Sequence, residues 1–469
     1  MTERFIRRTK IVATLGPATE GALRMEELLS SGVNVFRLNF SHGEHEEHAR
    51  RIRDARAAEQ AVGRPLAIFA DLQGPKLRLG DLPGGEVEVR MTTELLLKAG
   101  ESSDDPKIVP VPHPELVGAL QLGDKLLIDD GKMILHVVGH RGDDPICKPV
   151  APGKLKSRKG IAAPNRPIPI PALTDKDIAD ARFALEQGVD YLALSFVQRA
   201  SDIALVRETF PGTPVIAKIE KPAALEELDA IVDLADAIMV ARGDLGVELS
   251  PEQVPIAQRR IIRTARAAGK PVIVATQMLE SMIESPVPTR AEANDVATAV
   301  YQGADAVMLS AESAVGRHPT AAVAIMDRII TAIESDRDDD ASDYRRRETP
   351  TNSTAVACAR AAAKLADELD CPLVVFTRSG ASAQRVSTIR PRRRIHALTP
   401  NLDTARRLAL VWGIMPDIEP REPQSFDDIL DSVMKHEASG GMDRFVITAG
   451  YPYASDNSTD TIKVVERKS

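Results

Sequence analysis

Eight short apolar runs, spaced at nearly regular intervals, limit what this chain can fold into. They start at residues 10, 33, 66, 190, 214, 237, 271 and 305, so the gaps between them are 23, 33, 124, 24, 23, 34 and 34 residues. Runs such as KIVAT (10–14), PVIAK (214–218) and PVIVAT (271–276) are rich in β-branched residues and alternate little. That pattern reads as strands buried on both faces. Amphipathic helical segments lie between most of them, including 21–31, 176–187, 223–233, 255–268 and 288–302. A βα unit takes about 30 residues, and six of the seven gaps suit one. Eight units predict an α/β fold of the (β/α)8 or TIM-barrel type, in which polar groups at the C-terminal strand ends form the active site. The runs carry such groups at that end. A doubly wound sheet is the alternative, but no G-x-G-x-x-G and no Walker A motif supports it.

The 124-residue gap must hold an inserted domain, roughly Gln73 to Pro169. Its texture is short strands and turns (EVEVRM, ELLLKAG, DKLLIDDGKMILHVVGH). We expect a small β-barrel lid that overhangs the barrel mouth, where it could exclude water. The charged stretch 335–347 reads as a solvated linker. Helix and strand patterns then restart, with helices over about 352–369, from 381, over 402–410 and over 426–437. Strands are expected at 372–377, 395–399, 445–449 and 461–465. The expected division is a catalytic barrel at 1–72 and 170–340, a lid at 73–169 and a C-terminal α/β domain at 345–469.

A net charge of −8 and a pI near 5.7 argue against a general nucleic-acid binder. Cys147, Cys358 and Cys371 are odd in number and irregularly spaced. They make neither a zinc pattern nor a disulfide framework, which fits a reducing cytoplasm. The N-terminus MTERFIRRTK has no apolar core of a signal peptide. No run approaches 18 apolar residues, so no membrane span is expected.

The two central runs end in charge: Lys218 and Glu220 in one, Arg242, Gly243 and Asp244 in the next. Lys218 and Glu220 are two apart and so share a strand face. Charge at the end of a buried strand is costly unless paired or bound to an ion. Two carboxylates about 4 Å apart repel by roughly 4 kcal/mol at an effective dielectric near 20. A divalent cation reverses that sign, and oxygen ligands suit Mg2+ or Mn2+. The plainer reading is an internal Lys–Glu pair with Asp244 capping a helix. Arg37, Asn39 and Ser41 place a guanidinium and two oxygen ligands on the same rim, and Arg is the usual bidentate partner of phosphate or carboxylate. His42, His45 and His48 lack the H-E-x-x-H spacing and read as a solvated helix face. Lys76 and Arg78 after the Gly74–Pro75 turn, with Arg158 and Lys159 near the return crossing, put cations where barrel and lid meet. That favours an anionic ligand between them. TRSGASA (377–383) joins a strand end to a helix start, with free N–H groups, two serines, a threonine and an arginine. It reads as a phosphate cradle or as an ordinary helix cap.

Together these motifs resemble the pyruvate kinase family. The matching stretches are RLNFSHG (37–43), DLQGPKLR (71–78), KG (159–160), SFV (195–197), AKIEKP (217–222), MVARGDLGVE (239–248), ATQMLESM (275–282), ADAVMLSAES (304–313) and TRSGASA (377–383). They follow the family's order and cover nearly the whole chain. The resemblance implies a barrel, lid and C-terminal effector domain. It also implies phosphoryl transfer from phosphoenolpyruvate to ADP, giving pyruvate and ATP, the last step of glycolysis. Glu220 and Asp244 would hold Mg2+ or Mn2+. The Gly243 and Asp244 amides, with Thr276, would hold the substrate carboxylate. Lys218 and Arg37 would neutralise the transferring phosphoryl group. Proton delivery to the enolate carbon would run through water near Thr276 and Ser310, with Glu312 behind. Asn39, Arg78, Lys159 and the turn at Pro17 would contact the nucleotide.

One departure bears on cations. Many family members carry Thr, Lys and Glu where this chain has Leu72, Gln73 and Lys76. In the Glu type, K+ sits beside Asn39, Ser41, Asp71 and the carbonyl of residue 72. Here the Lys76 ammonium could stand in that place, so K+ would not be required. Thr377, Arg378, Ser379, Gly380 and Ser382 resemble the family's effector site for a sugar phosphate or nucleotide, covered by the loop 450–459. The resemblance also implies a homotetramer. The rival readings are a Mg2+-dependent barrel lyase of oxaloacetate-like acids, which needs Lys218, Glu220 and Asp244 but no ADP, and a regulatory paralogue that binds metabolites without turnover.

Overall fold

The computed structural model describes residues 7–129, 131–164, 166, 168–336, 353–436, 444–450 and 459–466. Eight parallel strands close into a barrel: β1 (Lys10–Thr14), β2 (Val35–Asn39), β3 (Ala67–Asp71), β4 (Tyr191–Val197), β5 (Val215–Ile219), β6 (Ala237–Ala241), β7 (Val272–Ala275) and β8 (Ala306–Leu309). The order is β1-β8-β7-β6-β5-β4-β3-β2, with Val12 beside Val35 and Lys10 beside Ala306 closing the ring. Every residue of β1, β3, β5, β6, β7 and β8 is buried. This is why the runs are apolar without alternation. Thr174 caps the helix Asp175–Glu186 and Thr289 caps Arg290–Tyr301, each in a reciprocal box with the acidic residue three positions on.

The helical segment expected at 223–233 is two helices, Pro222–Glu226 and Leu228–Leu234, broken at Glu227. The Glu227 carboxylate turns away to accept the Ala200 amide at 2.9 Å. The histidine face also differs from expectation. His48, on the helix His45–Val62, is 1% exposed and stacks on Phe40 at 4.2 Å, while His45 stacks on Phe183 at 4.1 Å. Only His48 is buried; the His45 side chain is 40% exposed and His42 is exposed, as expected of a solvated face.

The chain leaves the barrel after β3 and builds two sheets around a separate core that includes Leu95, Leu97, Val111, Leu126 and Leu135. One sheet has six strands, in the order Ile161–Ala162, Lys125–Ile128, Met133–Arg141, Asp144–Pro149, Leu95–Ala99 and Ile108–Val111. The other pairs Glu86–Val89 with Gly153–Lys156. The small barrel expected here is thus divided between two ladders rather than closed by one.

The C-terminal part is a five-stranded sheet in the order Ile414–Ile418, Ile395–Thr399, Leu373–Phe376, Arg444–Ala449 and Thr461–Glu466, the last strand antiparallel. Ile414–Ile418 was not anticipated. It is a half-exposed edge strand containing Pro416, where Pro is tolerated and apolar patterning is weak. Most of the linker stretch and most of the loop 450–459 lie outside the described residues. Ala409 and Leu410 of this part pack into the cluster formed by the inward-facing residues of the barrel, among them Val12, Phe69, Tyr191 and Met239. Tyr191 donates to the Arg407 carbonyl at 3.0 Å, Lys10 Nζ donates to the Ile414 carbonyl at 2.6 Å, and Arg406 pairs with Glu59 at 2.6 Å. Among the described residues no helix is long and apolar enough to cross a membrane.

Candidate active site

Arg37, Asp71, Lys218 and Glu220 meet at the C-terminal ends of β2, β3 and β5. Arg37 Nε lies 2.6 Å from Asp71 Oδ2 and its Nη1 is 3.2 Å from Thr14 Oγ1. Lys218 Nζ lies 3.0 Å from Asp71 Oδ1 and 2.9 Å from Glu220 Oε1, and donates to Ser195 Oγ at 2.6 Å. Ser195 in turn donates to the Leu72 carbonyl at 2.6 Å. Burial works against the Lys218 charge, but Asp71 and Glu220 outweigh it and hold the ammonium above its ordinary value. Burial would likewise raise Asp71, yet Lys218 and Arg37 keep it ionised and below its ordinary value.

Glu220 is different. Burial pushes it up, Lys218 pulls it down and nearby Asp244 pushes it up again, to about 7. Its Oε2 accepts the Phe196 amide at 2.7 Å. Its Oε1 takes part in the ion pair with Lys218 but accepts no well-directed hydrogen bond. Phe196 adopts φ 55° to present that amide, a region uncommon for a bulky residue and tolerated where surrounding contacts fix it. Asp244 stands in the first turn of the helix Arg242–Glu248, directly after β6.

These two carboxylates fit a hard divalent ion. They supply oxygen donors, one of them buried and underused, and a cation would relieve the repulsion that raises Glu220. Among the described residues no group of three or more His, Cys, Asp or Glu side chains could hold a metal. A two-carboxylate site of this kind would suit Mg2+.

A second loop faces the first. Thr276 and Gln277 follow β7 with φ 68° and 54°. The Gly243 amide donates to Thr276 Oγ1 at 2.7 Å, and Thr276 Oγ1 donates to the Ala275 carbonyl at 2.6 Å. Arg242, 7% exposed, reaches under this loop. It donates to the Thr276 carbonyl and, at 3.1 Å, to the Gln277 carbonyl, and pairs with Asp295 at 2.6 Å. Ser310 Oγ is buried without a hydrogen-bond partner, and the Ser310 amide donates to Glu312 at 2.7 Å. Glu312 thus lies beside Ser310.

The remaining candidates lie further out. Asn39 Oδ1 accepts the Ser41 amide at 3.2 Å. Pro17 opens a short 3-10 turn, Pro17–Thr19. Arg78 donates to the Arg158 carbonyl at 3.0 Å, Lys159 pairs with Asp129 at 3.0 Å, and Arg158 grips Asp81 with two bonds of 2.8 Å. Arg158 is therefore engaged within the lid. Lys76 is exposed, and among the described residues no hydrogen bond or ion pair joins it to Asn39, Ser41 or Asp71. It lines a cleft of about 300 Å3 between lid and barrel, together with Phe196, Lys221 and Asp244. In the C-terminal part, Thr377 Oγ1 accepts the Gly380 amide at 3.0 Å, Ser382 accepts from Thr459 at 2.6 Å, and Arg378 pairs with Glu422.

Two residues named from the sequence take roles here that it did not assign to them. Asp71, read only as part of a monovalent-cation region, is the shared counter-ion of Arg37 and Lys218. Arg242 anchors the Thr276 loop. The signal for Asp71 was its place at a strand end, two strands from Lys218. Arg242 was visible only as charge at the end of a buried run, and its partners were not, because its acceptors include backbone carbonyls 34 and 35 residues away.

A closed (β/α)8 barrel with an inserted domain, and with fixed cations and paired carboxylates on one rim, defines a barrel enzyme for an anionic substrate. Comparison with known proteins identifies it further. The family described as "Pyruvate kinase, barrel domain" matches residues 6–323, and "Pyruvate kinase, alpha/beta domain" matches residues 356–465. A pyruvate kinase of Agrobacterium vitis is 45% identical, with 98% of each chain covered. One from Methylorubrum extorquens is 43% identical over 98% of this chain and 97% of its own. One from Mycobacterium tuberculosis is 42% identical over 98% of each. The chain belongs to the pyruvate kinase family and is a phosphotransferase of that class, with phosphoenolpyruvate, ADP, ATP and pyruvate as its substrates and products.

Proposed function

We propose that the β2–β3–β5–β6 rim carries phosphoryl transfer from phosphoenolpyruvate to ADP through a cage of fixed positive charge, with Mg2+ or Mn2+ on Glu220 and Asp244. The observation that carries this reading is the convergence of Arg37, Lys218, Glu220 and Asp71 within hydrogen-bond distance. When bound, the divalent ion supplies neutralisation of phosphoryl and enolate oxygens. Lys218 and Arg37 do the same from the chain, held in place by Asp71 and Ser195. Charge that is positioned beforehand needs no reorganisation during the reaction. The helix start at Gly243 and Asp244, with Thr276, receives the substrate carboxylate, and Ser310 lies on the route of the proton to the enolate carbon. Asn39, Arg78, Lys159 and Pro17 face the nucleotide.

Three further parts of the reading concern the whole enzyme. The barrel comprises 1–72 and 170–340, the lid 73–169 and the C-terminal domain 345–469. Thr377, Arg378, Ser379, Gly380 and Ser382 form a phosphate cradle for an effector, and the enzyme works as a cytoplasmic homotetramer. K+ is not required, because Lys76 replaces the family's Glu and can swing its exposed ammonium toward Asp71 on closure of the lid. One assay tests the reaction and its cation requirement: pyruvate formation from phosphoenolpyruvate with and without ADP, Mg2+ and K+, at constant ionic strength. We expect dependence on ADP and Mg2+, little response to K+, and a K+ requirement in Lys76→Glu. A large K+ stimulation of the parent enzyme would remove the Lys76 argument. Turnover without ADP would favour a lyase instead.

A further inference from the structure

The two carboxylates assigned to the divalent ion stand on different elements. Glu220 directly follows β5, and Asp244 lies in the first turn of the helix Arg242–Glu248. Both are acidic, so their own interaction drives them apart and cannot set their spacing. One ion pair joins the two elements beside them. Lys221, the neighbour of Glu220, pairs with Glu248. Glu248 is four residues on from Asp244, so the two share a face of their helix.

This pair is built into the protein rather than laid on its surface. The Lys221 side chain is 17% exposed and that of Glu248 4%. Glu248 Oε1 takes the ammonium, while Oε2 is buried without a hydrogen-bond partner. Lys221 is thus the counter-ion of a buried carboxylate, and such a charge is costly when left alone. The backbone aims the lysine as well. Lys221 precedes Pro222, which opens the helix Pro222–Glu226. Its φ of −119° and ψ of 142° are the extended values that a following proline favours.

Lys221 reaches a third element. Its Nζ stands 5.7 Å from the centre of the Phe196 ring, within cation–π range. The pairing of β4 with β5 shifts register between Leu194 and Val197, so that Ser195 and Phe196 together oppose Lys218. Bulges of this kind re-aim groups next to active sites. This one brings the Ser195 hydroxyl to Lys218 Nζ at 2.6 Å and the Phe196 amide to Glu220 Oε2 at 2.7 Å. Phe196, Lys221, Asp244 and Glu248 line one cleft between lid and barrel.

We propose that the Lys221–Glu248 pair is a strut that fixes the separation of Glu220 and Asp244 and seats Phe196, so that both carboxylates are set for the divalent ion before it arrives. The proposal rests on the reading of Glu220 and Asp244 as the ligands of that ion. Lys221 and Glu248 are positioning residues, acting through Glu220, Asp244 and Phe196. A pure charge effect has the opposite sign. An ammonium beside the site repels a cation, so its removal would tighten metal binding, whereas removal of a strut loosens it.

Mn2+ binding to the full-length protein without substrates is measured from the electron paramagnetic resonance signal of the free ion, beside a thermal melt. Lys221→Met and Lys221→Met/Glu248→Leu should each weaken Mn2+ binding about tenfold or more. Lys221→Arg keeps the pair and should stay within a few-fold of the parent. The double variant leaves no buried charge unpaired, so it decides the matter if Lys221→Met folds poorly. Tighter or unchanged Mn2+ binding by the folded double variant overturns the proposal, and a lower melting temperature alone would make the pair merely structural. An equal loss in Lys221→Arg also overturns it. Glu220→Gln separates this proposal from the reading beneath it. If that variant binds Mn2+ as the parent does, the ligand assignment fails and the strut with it. If it loses Mn2+ while the Lys221 variants do not, the strut alone fails.

Discussion

Two consecutive residues after β7 hold left-handed backbone, and one of them, Thr276, is β-branched. Each such conformation costs roughly 1–3 kcal/mol and persists only where its neighbours over-determine it. Arg242 is that neighbour, since one guanidinium takes both carbonyls and the Asp295 carboxylate fixes the guanidinium. A lysine in its place offers a charge but not the planar fork. Arg242→Lys should lower kcat/KM for phosphoenolpyruvate by on the order of a hundredfold, the scale of a small misplacement of a reacting group. Thr276→Ala should then cost less on the Arg242→Lys background than on the parent. Steady-state kinetics of the four proteins checks this, and strictly additive losses would show that Arg242 acts elsewhere.

At the scale of elements, the site is assembled by strand ends and by the turn into the lid. Gly74 has φ +66°, and a Cβ there would stand 2.9 Å from the Phe196 ring and 3.0 Å from Ser195 Cβ. Its amide also bonds Asp177, the acidic member of the Thr174 capping box, at 3.0 Å. Gly74→Ala should therefore destabilise the protein by about 1–3 kcal/mol and disturb Ser195 beneath Lys218. A thermal melt beside a kcat measurement reads both, and an unchanged melting temperature would contradict the crowding seen here. The barrel strands were readable from sequence because buried parallel strands cannot alternate. The charged strand ends were readable because a buried charge needs a reason. Asp71 serving two cations, the edge strand Ile414–Ile418 and the stacked His48 were not. Each depends on which residues distant in the chain lie opposite, and periodicity carries no record of that.

The whole molecule is joined at the floor of the barrel, opposite the active site. There Lys10, 5% exposed, donates from Nζ to the Ile414 carbonyl of the C-terminal part. Burial, then Arg7 and Arg64, lower its pKa to about 7, with Glu334 and Asp305 opposing. The unfolded chain keeps this lysine protonated up to its ordinary value of 10.5. Between the two values the unfolded chain binds more protons, so stability rises with pH. The penalty is fully present below about 7 and is relieved as pH rises through 10.5. Relative to Lys10→Met, the parent should gain stability from pH 7 toward pH 10, by at most about 1.4 kcal/mol per pH unit. Melting temperatures of both proteins across that range test it, and parallel curves would show that Lys10 keeps its proton.

At the active site, the decisive quantity is the rate of pyruvate formation by Lys218→Met, with Mg2+ and ADP saturating, compared with the parent. If preorganised charge carries the transfer, kcat of the folded variant falls by roughly a thousandfold or more. A variant that turns over within a few-fold of the parent would contradict the charge cage at the centre of this account.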